Sequence, residues 1–295
     1  MSNRRKKVNR KHKDRLFRLI FHDKKDLLQL YNAVNNTNYD NPEDIEVNTL
    51  EDVVYMGMKN DISFLMKDVL NLYEHQSTFS PNLPLRGLLY FADLYRKLIV
   101  HEQDIYSSRQ LPLPFPQFVV FYNGTQEEPE RQVLHLHEAF PEGMAVENAA
   151  LDCHAVILNI NIGHNKAIMQ KCRKLEEYAI FIGKIREYTE KNLTIEEAID
   201  KAVEDCIKEG ILSKILREHR EEVCSMLLTE YDEQAHIENE REIAKEEGRE
   251  EGRAEGQERV NLLIRTLIEQ YREKEISKAV SDKTFQEKLF KEYNI

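Results

Sequence analysis

The sequence predicts an α+β or mixed α/β core followed by an α-helical C-terminal extension. Helical spacings in the first half alternate with short β-branched and aromatic runs, while the stretch after about Asn165 is helical throughout. No apolar run approaches the roughly 20 residues that a membrane-spanning helix needs. At 41% hydrophobic and 32% charged residues, with no tryptophan, the 295-residue chain reads as globular rather than disordered or fibrous, and as one large domain or two modest ones.

The elements follow in order. In KDRLFRLIFHDKKDLLQLYNAVNNTNY the apolar residues Leu16, Phe17, Leu19, Ile20, Leu27, Leu28, Leu30 and Tyr31 fall at helical spacings, with a break near His22–Asp23. NNTNYDNPED is a loop by its Asn, Asp and Pro content. EVNTLEDVVYMG is β-rich, and Asp61–Gln76 reads as two strands. SPNLPLRGLLYFADLYRKLIV opens on proline and continues as a helix through Val100. PLPFPQFVVFYNGT is a strand closed by the turn signal Asn123–Gly124, and LDCHAVILNINIG is another strand. Two helical stretches come next, KAIMQKCRKLEEYAIFIGKIREYTEK and TIEEAIDK…YDEQ, the second opening on a capping box of Thr194 and Glu197. Gly248, Gly252 and Gly256 then punctuate a Glu-rich segment, expected as a solvated, partly helical linker. VNLLIRTLIEQY after it is amphipathic, suited either to pairing with another copy or to capping the chain. The resulting boundaries are a basic tail over 1–12, a core over 13–165, a helical extension packed on it over 166–235, a charged linker over 236–259 and a C-terminal helical segment over 260–295.

Net charge is −11, but its distribution is uneven. Nine Lys or Arg (Arg4, Arg5, Lys6, Lys7, Arg10, Lys11, Lys13, Arg15, Arg18) face one acid, Asp14, within residues 1–18, whereas His236–Val260 holds nine glutamates against five basic residues. The basic end suits either phosphate contact or simple solubilisation. It lacks an apolar h-region, so no secretory signal is read there. Cys153, Cys172, Cys206 and Cys224 are widely spaced without CxxC pairing, which predicts free buried thiols in a reducing cytoplasm and does not support a structural zinc site.

The stretch Asp61–Gln76, DISFLMKDVLNLYEHQ, carries one acid toward each outer end of its two apolar runs. With Lys67–Asp68 as a two-residue turn, Met66 faces Val69, paired positions sum to 135, and Asp61 faces Glu74. Opposed residues have Cβ atoms about 4.5–5.5 Å apart, so two like charges there repel. A divalent cation would compensate: Mg2+, with Mn2+ or Ca2+ as alternatives, held by Asp61 and Glu74 and completed by water and phosphate oxygens. Side-chain alternation returns Gln76 to the face of Glu74. The competing reading is two solvated edge-strand charges, and a one-residue slip in the turn would separate the two acids.

Residues 60–99, NDISFLMKDVLNLYEHQSTFSPNLPLRGLLYFADLYRKLI, together with FYNG, LNINIGHN, EYAIFI, EAIDKAVEDCI, ILSKIL, EYDE and the Gly-spaced Glu-rich tail, resemble the PD-(D/E)XK nuclease family transposases, the recombination-promoting nuclease (Rpn) group, over about Lys13–Glu233. The resemblance implies a restriction-endonuclease-like α/β core, a mixed central sheet flanked by helices. It also implies metal-dependent cleavage of double-stranded DNA, linked to recombination or mobile elements. The family's Asp falls on Asp61 and its (D/E)xK element on Glu74-His75-Gln76, with glutamine in place of lysine and Asn60 in place of proline. A further acid from the first helix would be Asp14 or Asp26. Metal on Asp61 and Glu74 would neutralise phosphate charge and acidify water. Gln76 could orient that water but not take its proton. Arg4, Arg5, Lys6, Lys7, Arg10 and Lys11 would contact the DNA backbone. Arg86 is suited equally to phosphate and to a structural salt bridge. His75 is expected to pack on the opposite face, and His154 and His164 to take core or loop roles. A homodimer through 260–295 would supply two active sites. The alternative function is a nuclease-fold DNA- or protein-binding module, catalytically weak or inactive.

Overall fold

The computed structural model describes residues 15–48, 62–99, 101 and 105–295. The chain divides into two compact units, Met1–Tyr231 and Asp232–Ile295.

The first unit is a mixed α/β fold built on a six-stranded sheet. Helices α1 (Arg15–Ile20) and α2 (Lys24–Asn35) are separated where expected, at His22–Asp23. The Asp23 carboxylate accepts the Lys25 backbone N–H at 2.7 Å, capping α2, and Asn36 ends it in the left-handed region at φ 54°. Strands β1 (Ile45–Val47), β2 (Ile62–Met66) and β3 (Val69–Gln76) are antiparallel neighbours. The β2–β3 register runs from Met66↔Val69 to Ile62↔Tyr73, with Lys67 at φ 54° taking the tight turn. Pro84 occupies the first turn of α3 (Leu83–Leu98), where its missing N–H costs nothing. The helix ends at Leu98, with Ile99 already extended, short of the expected end at Val100, which lies outside the described residues.

Strand β4 (Phe115–Tyr122) runs parallel to β3 and to β6 (His154–Asn159), while β5 (Arg131–His135) pairs antiparallel with β6 at the edge; the order is β1-β2-β3-β4-β6-β5. Asn123–Gly124 therefore closes β4 without forming a hairpin. Its glycine is required by crowding: a Cβ there would lie 2.5 Å from the Ser77 carbonyl oxygen and 2.3 Å from the Tyr122 hydroxyl.

Alternation along the strands divides the core in two. Leu70, Leu72, Phe118, Val120 and Tyr122 pack against Leu83, Tyr90, Phe91 and Leu94 of α3. Tyr73, Val119, Phe121 and Leu158 point the other way, into α1, α2, α4 (Lys166–Lys171), α5 (Arg173–Glu190), α6 (Ile195–Glu209), α7 (Ser213–Glu218) and the opening turns of α8 (Arg220–Glu269). The two helical stretches read from sequence are thus each divided, the first at Cys172 and the second twice, at Gly210, which caps α6 at φ 80°, and at His219 between α7 and α8. The Thr194–Glu197 capping box is present.

All four cysteines are free, but only Cys172 and Cys206 are buried. Burial pushes both of their thiols up to about 11, so almost no thiolate exists near neutrality. At pH 8, iodoacetamide is expected to alkylate the half-buried Cys153 and Cys224 first, and Cys172 and Cys206 only after urea. Equal native labelling, read by mass spectrometry, would contradict that burial.

The second unit comprises the end of α8 with α9 (Ile276–Ser281) and α10 (Lys283–Tyr293). Leu263 and Leu267 are buried against Ala279 and Leu289 of the same unit, leaving Leu262 and Ile268 exposed. The segment expected as a partly helical linker is continuous helix, because the Glu, Arg and Ala between its glycines are strong helix formers. A Cβ at Gly248, Gly252 or Gly256 would meet nothing within 4 Å. Among the described residues no helix is long and apolar enough to cross a membrane.

Candidate functional site

Strands β3, β4 and β6 are parallel, so Glu74–Gln76, Tyr122–Asn123 and Asn159 come together at their carboxyl ends. Ligands of open α/β sheets bind outside such ends. Glu74 is 1% exposed and points to the α3 face, between the positions of Leu72 and Gln76. Its Oε2 accepts from Arg86 Nη2 at 2.8 Å. Arg86 reaches it because α3 lies unusually close to the sheet: a Cβ on the next residue, Gly87, would stand 2.5 Å from the Phe118 ring. The Arg86 side chain is 32% exposed, and its guanidinium also lies 6.0 Å from the Tyr90 ring. The salt bridge is one of the two roles the sequence offered Arg86.

The opposite face of the same strand is apolar and closed. His75 is buried, stacked on Phe17 with centroids 5.6 Å apart, and its Nε2 lies 2.8 Å from the Tyr178 hydroxyl. Asn123 Nδ2 donates to that hydroxyl at 3.1 Å. His75 is a packed residue, as the alternation predicted.

A polar lattice fixes the loops around this end. Arg186 Nη1 donates to Asn161 Oδ1 at 2.7 Å and Nη2 to the Asn123 carbonyl. Asn161 Nδ2 donates to the Gly124 carbonyl at 3.1 Å, and the Asn123 backbone N–H donates to the Gln76 carbonyl at 3.0 Å. Two long segments of chain are thereby tied to the last residues of β3.

Asp61, Asp14 and the basic residues Arg4, Arg5, Lys6, Lys7, Arg10 and Lys11 lie outside the described residues. Asp26 is ion-paired with Lys174 at 2.5 Å, and its helix α2 packs on the Tyr73 face of the sheet, opposite Glu74. His164 sits in the loop after β6, and His154 is exposed at the start of that strand. Sequence reasoning missed Tyr178, Asn123 and Arg186 as supports of this end, since nothing local marks a partner more than 50 residues away. It also missed β5, whose sequence RQVLH sets its two apolar residues side by side and shows no alternation to mark a strand. No protein-family model, curated protein or solved structure matches the chain.

Proposed function

We propose that the chain is a metal-dependent DNA endonuclease hydrolysing phosphodiester bonds, with a restriction-endonuclease-like core and a role in DNA recombination or mobile-element biology. The observation that carries this reading is Glu74, a buried carboxylate at the carboxyl end of a central parallel strand, beside a cationic side chain and on one face with Gln76. Burying a charge is costly unless it is paired, so a retained one calls for a purpose. The strand register adds support: Asp61 directly precedes Ile62, and Glu74 directly follows its partner Tyr73.

The donors on offer, Glu74 and Asp61, are hard oxygens, and His75 turns to the other face, a set that suits Mg2+, Mn2+ or Ca2+ completed by water and phosphate oxygens. When bound, such a cation supplies Lewis-acid stabilisation of phosphate charge and a more acidic attacking water. Glu74 and Asp61 would hold it. Arg86 pairs with Glu74 and can turn part of its fork toward a phosphate oxygen. The Gln76 carboxamide orients the attacking water and leaves the proton to solvent or to substrate phosphate. A homodimer through 260–295, presenting two such sites to the two strands, belongs to the same proposal.

One observation favours the non-catalytic binding module instead: Glu74 Oε2 is already engaged by Arg86. Incubation of supercoiled plasmid with the protein in Mg2+, Mn2+, Ca2+ or EDTA decides between them. Metal-dependent nicking is expected; DNA binding without nicking under any metal would leave the binding module. Deletion of residues 2–11 should weaken DNA binding and reduce the slope of log K against log salt by about 0.9 for each phosphate no longer neutralised. An unchanged slope would remove the basic tail from the interface.

A further inference from the structure

We propose that His135, His137, Asp152 and His154 form a binding site for one late first-row divalent cation, Zn2+ by preference, which clips the end of edge strand β5 to the start of β6. The residues occur as two short patterns, HLH and DCH, 15 residues apart in the order His137 to Asp152. Antiparallel pairing brings them into register. His135 lies opposite His154, and the Leu136 N–H donates to the Cys153 carbonyl at 2.8 Å, carrying His137 to Asp152. Leu136, between the two histidines, is buried, whereas the side chains of His135 and of His137, in the 3-10 turn Leu136–Ala139 that follows β5, are 37% and 28% exposed.

The arrangement is more than a surface ion pair. Asp152 Oδ1 accepts the backbone N–H groups of His137 at 3.2 Å and Cys153 at 3.0 Å. That fixes the carboxylate so that Oδ2 faces His137 Nδ1 at 3.0 Å and His135 Nδ1 at 3.8 Å. Metal-ligating side chains are commonly oriented by such outer hydrogen bonds. The three ligand atoms lie within 4.8 Å of one another, and among the described residues no other group of three His, Cys, Asp or Glu does so. The rings of His135 and His137 are 4.8 Å apart, and the ring of His154 stands 5.8 Å from His135, outside that group of three, and would turn inward to serve as a fourth ligand.

The donor set chooses the ion. Imidazole nitrogens with one carboxylate suit Zn2+ and its neighbours, whereas Mg2+ and Ca2+ favour all-oxygen sets. Tetrahedral ligands on Zn2+ stand about 3.3 Å apart. The His137–Asp152 spacing already meets this, and rotation of the partly exposed imidazoles supplies the remaining contraction of up to about 1.5 Å. This site is separate from Glu74: His154 and Asn159 mark opposite ends of β6, roughly 16 Å apart at the rise of a strand. The site needs no cysteine, so the widely spaced thiols do not argue against it.

The test uses untagged full-length protein titrated with Co2+ and followed by visible absorption, then displaced with Zn2+. One equivalent per chain is expected, with the strong d–d bands of a four-coordinate site, and a thousandfold excess of Mg2+ should not remove them. His137→Gln and Asp152→Asn should each weaken binding at least 100-fold. Absence of four-coordinate bands in the wild type overturns the proposal without reference to any variant. So does equal Co2+ uptake by the His137→Gln and Asp152→Asn proteins, provided circular dichroism shows them folded. If either variant is unfolded, the same comparison is made with His135→Gln.

Discussion

Glu74→Ala and Asp61→Ala are each expected to lower Mg2+-dependent nicking of supercoiled plasmid by on the order of 10^3-fold, with DNA binding at low salt retained. The magnitude follows from the chemistry proposed. Metal stabilisation of developing phosphate charge contributes several kcal/mol, and each 1.36 kcal/mol is about a factor of ten in rate. Either substitution removes a ligand and with it that contribution. The fold should survive Glu74→Ala, because the Arg86 side chain left behind is 32% exposed and can turn its guanidinium to water. Gln76→Ala should cost less, about tenfold, since orienting a water is a smaller effect than neutralising a phosphate. Nicking that survives both acid substitutions would place the active site elsewhere. Wild-type protein that binds DNA but never nicks it would identify the Glu74–Arg86 pair as a structural feature of a binding module.

Phe17→Ala should destabilise the sheet-containing unit by about 3–5 kcal/mol, the range for truncating a fully buried aromatic. Phe17 is 0% exposed and sits where the first helix meets the sheet. Its ring lies 4.8 Å from Phe21, 5.2 Å from Phe121 and 6.0 Å from Tyr178, and it stacks on His75. Removing it opens a cavity beneath the strand that carries Glu74 and takes the apolar cover from His75. Against a typical total of about 5–15 kcal/mol, that is a large share. In urea the midpoint should fall sharply, and in a thermal scan by on the order of 10 °C. Phe17→Leu, which keeps most of the volume, should cost less than half as much. Equal losses for Leu and Ala would mean that the aromatic contacts, rather than the filled volume, hold this corner.

Much of the candidate site was legible before any fold was known. The β2–β3 register rests on two short-range facts, a period of two and a two-residue turn, and both are local. The breaks at Asp23 and Thr194 were readable for the same reason, because a cap acts on backbone two or three residues away. The position of Glu74 at the end of an apolar strand, and the burial of His75 on the other face, followed from alternation alone.

Other features were not legible, and each depends on a partner distant in sequence. Asn123–Gly124 signals a hairpin locally, yet β4 is flanked by two parallel strands, an arrangement that only crossovers can supply. The short edge strand β5 went unread because its partner, β6, comes after a connection of 18 residues. The sequence by itself determined where α2 and α6 begin, which strand ends in acid, and how the β2–β3 hairpin pairs. Only the tertiary structure decided that Arg86 meets Glu74, that Tyr178 and Asn123 hold His75, and that His135 and His137 converge on Asp152. Local preferences act over one turn or one pleat, whereas these contacts exist only once sheet order and burial have brought separate segments to the same place.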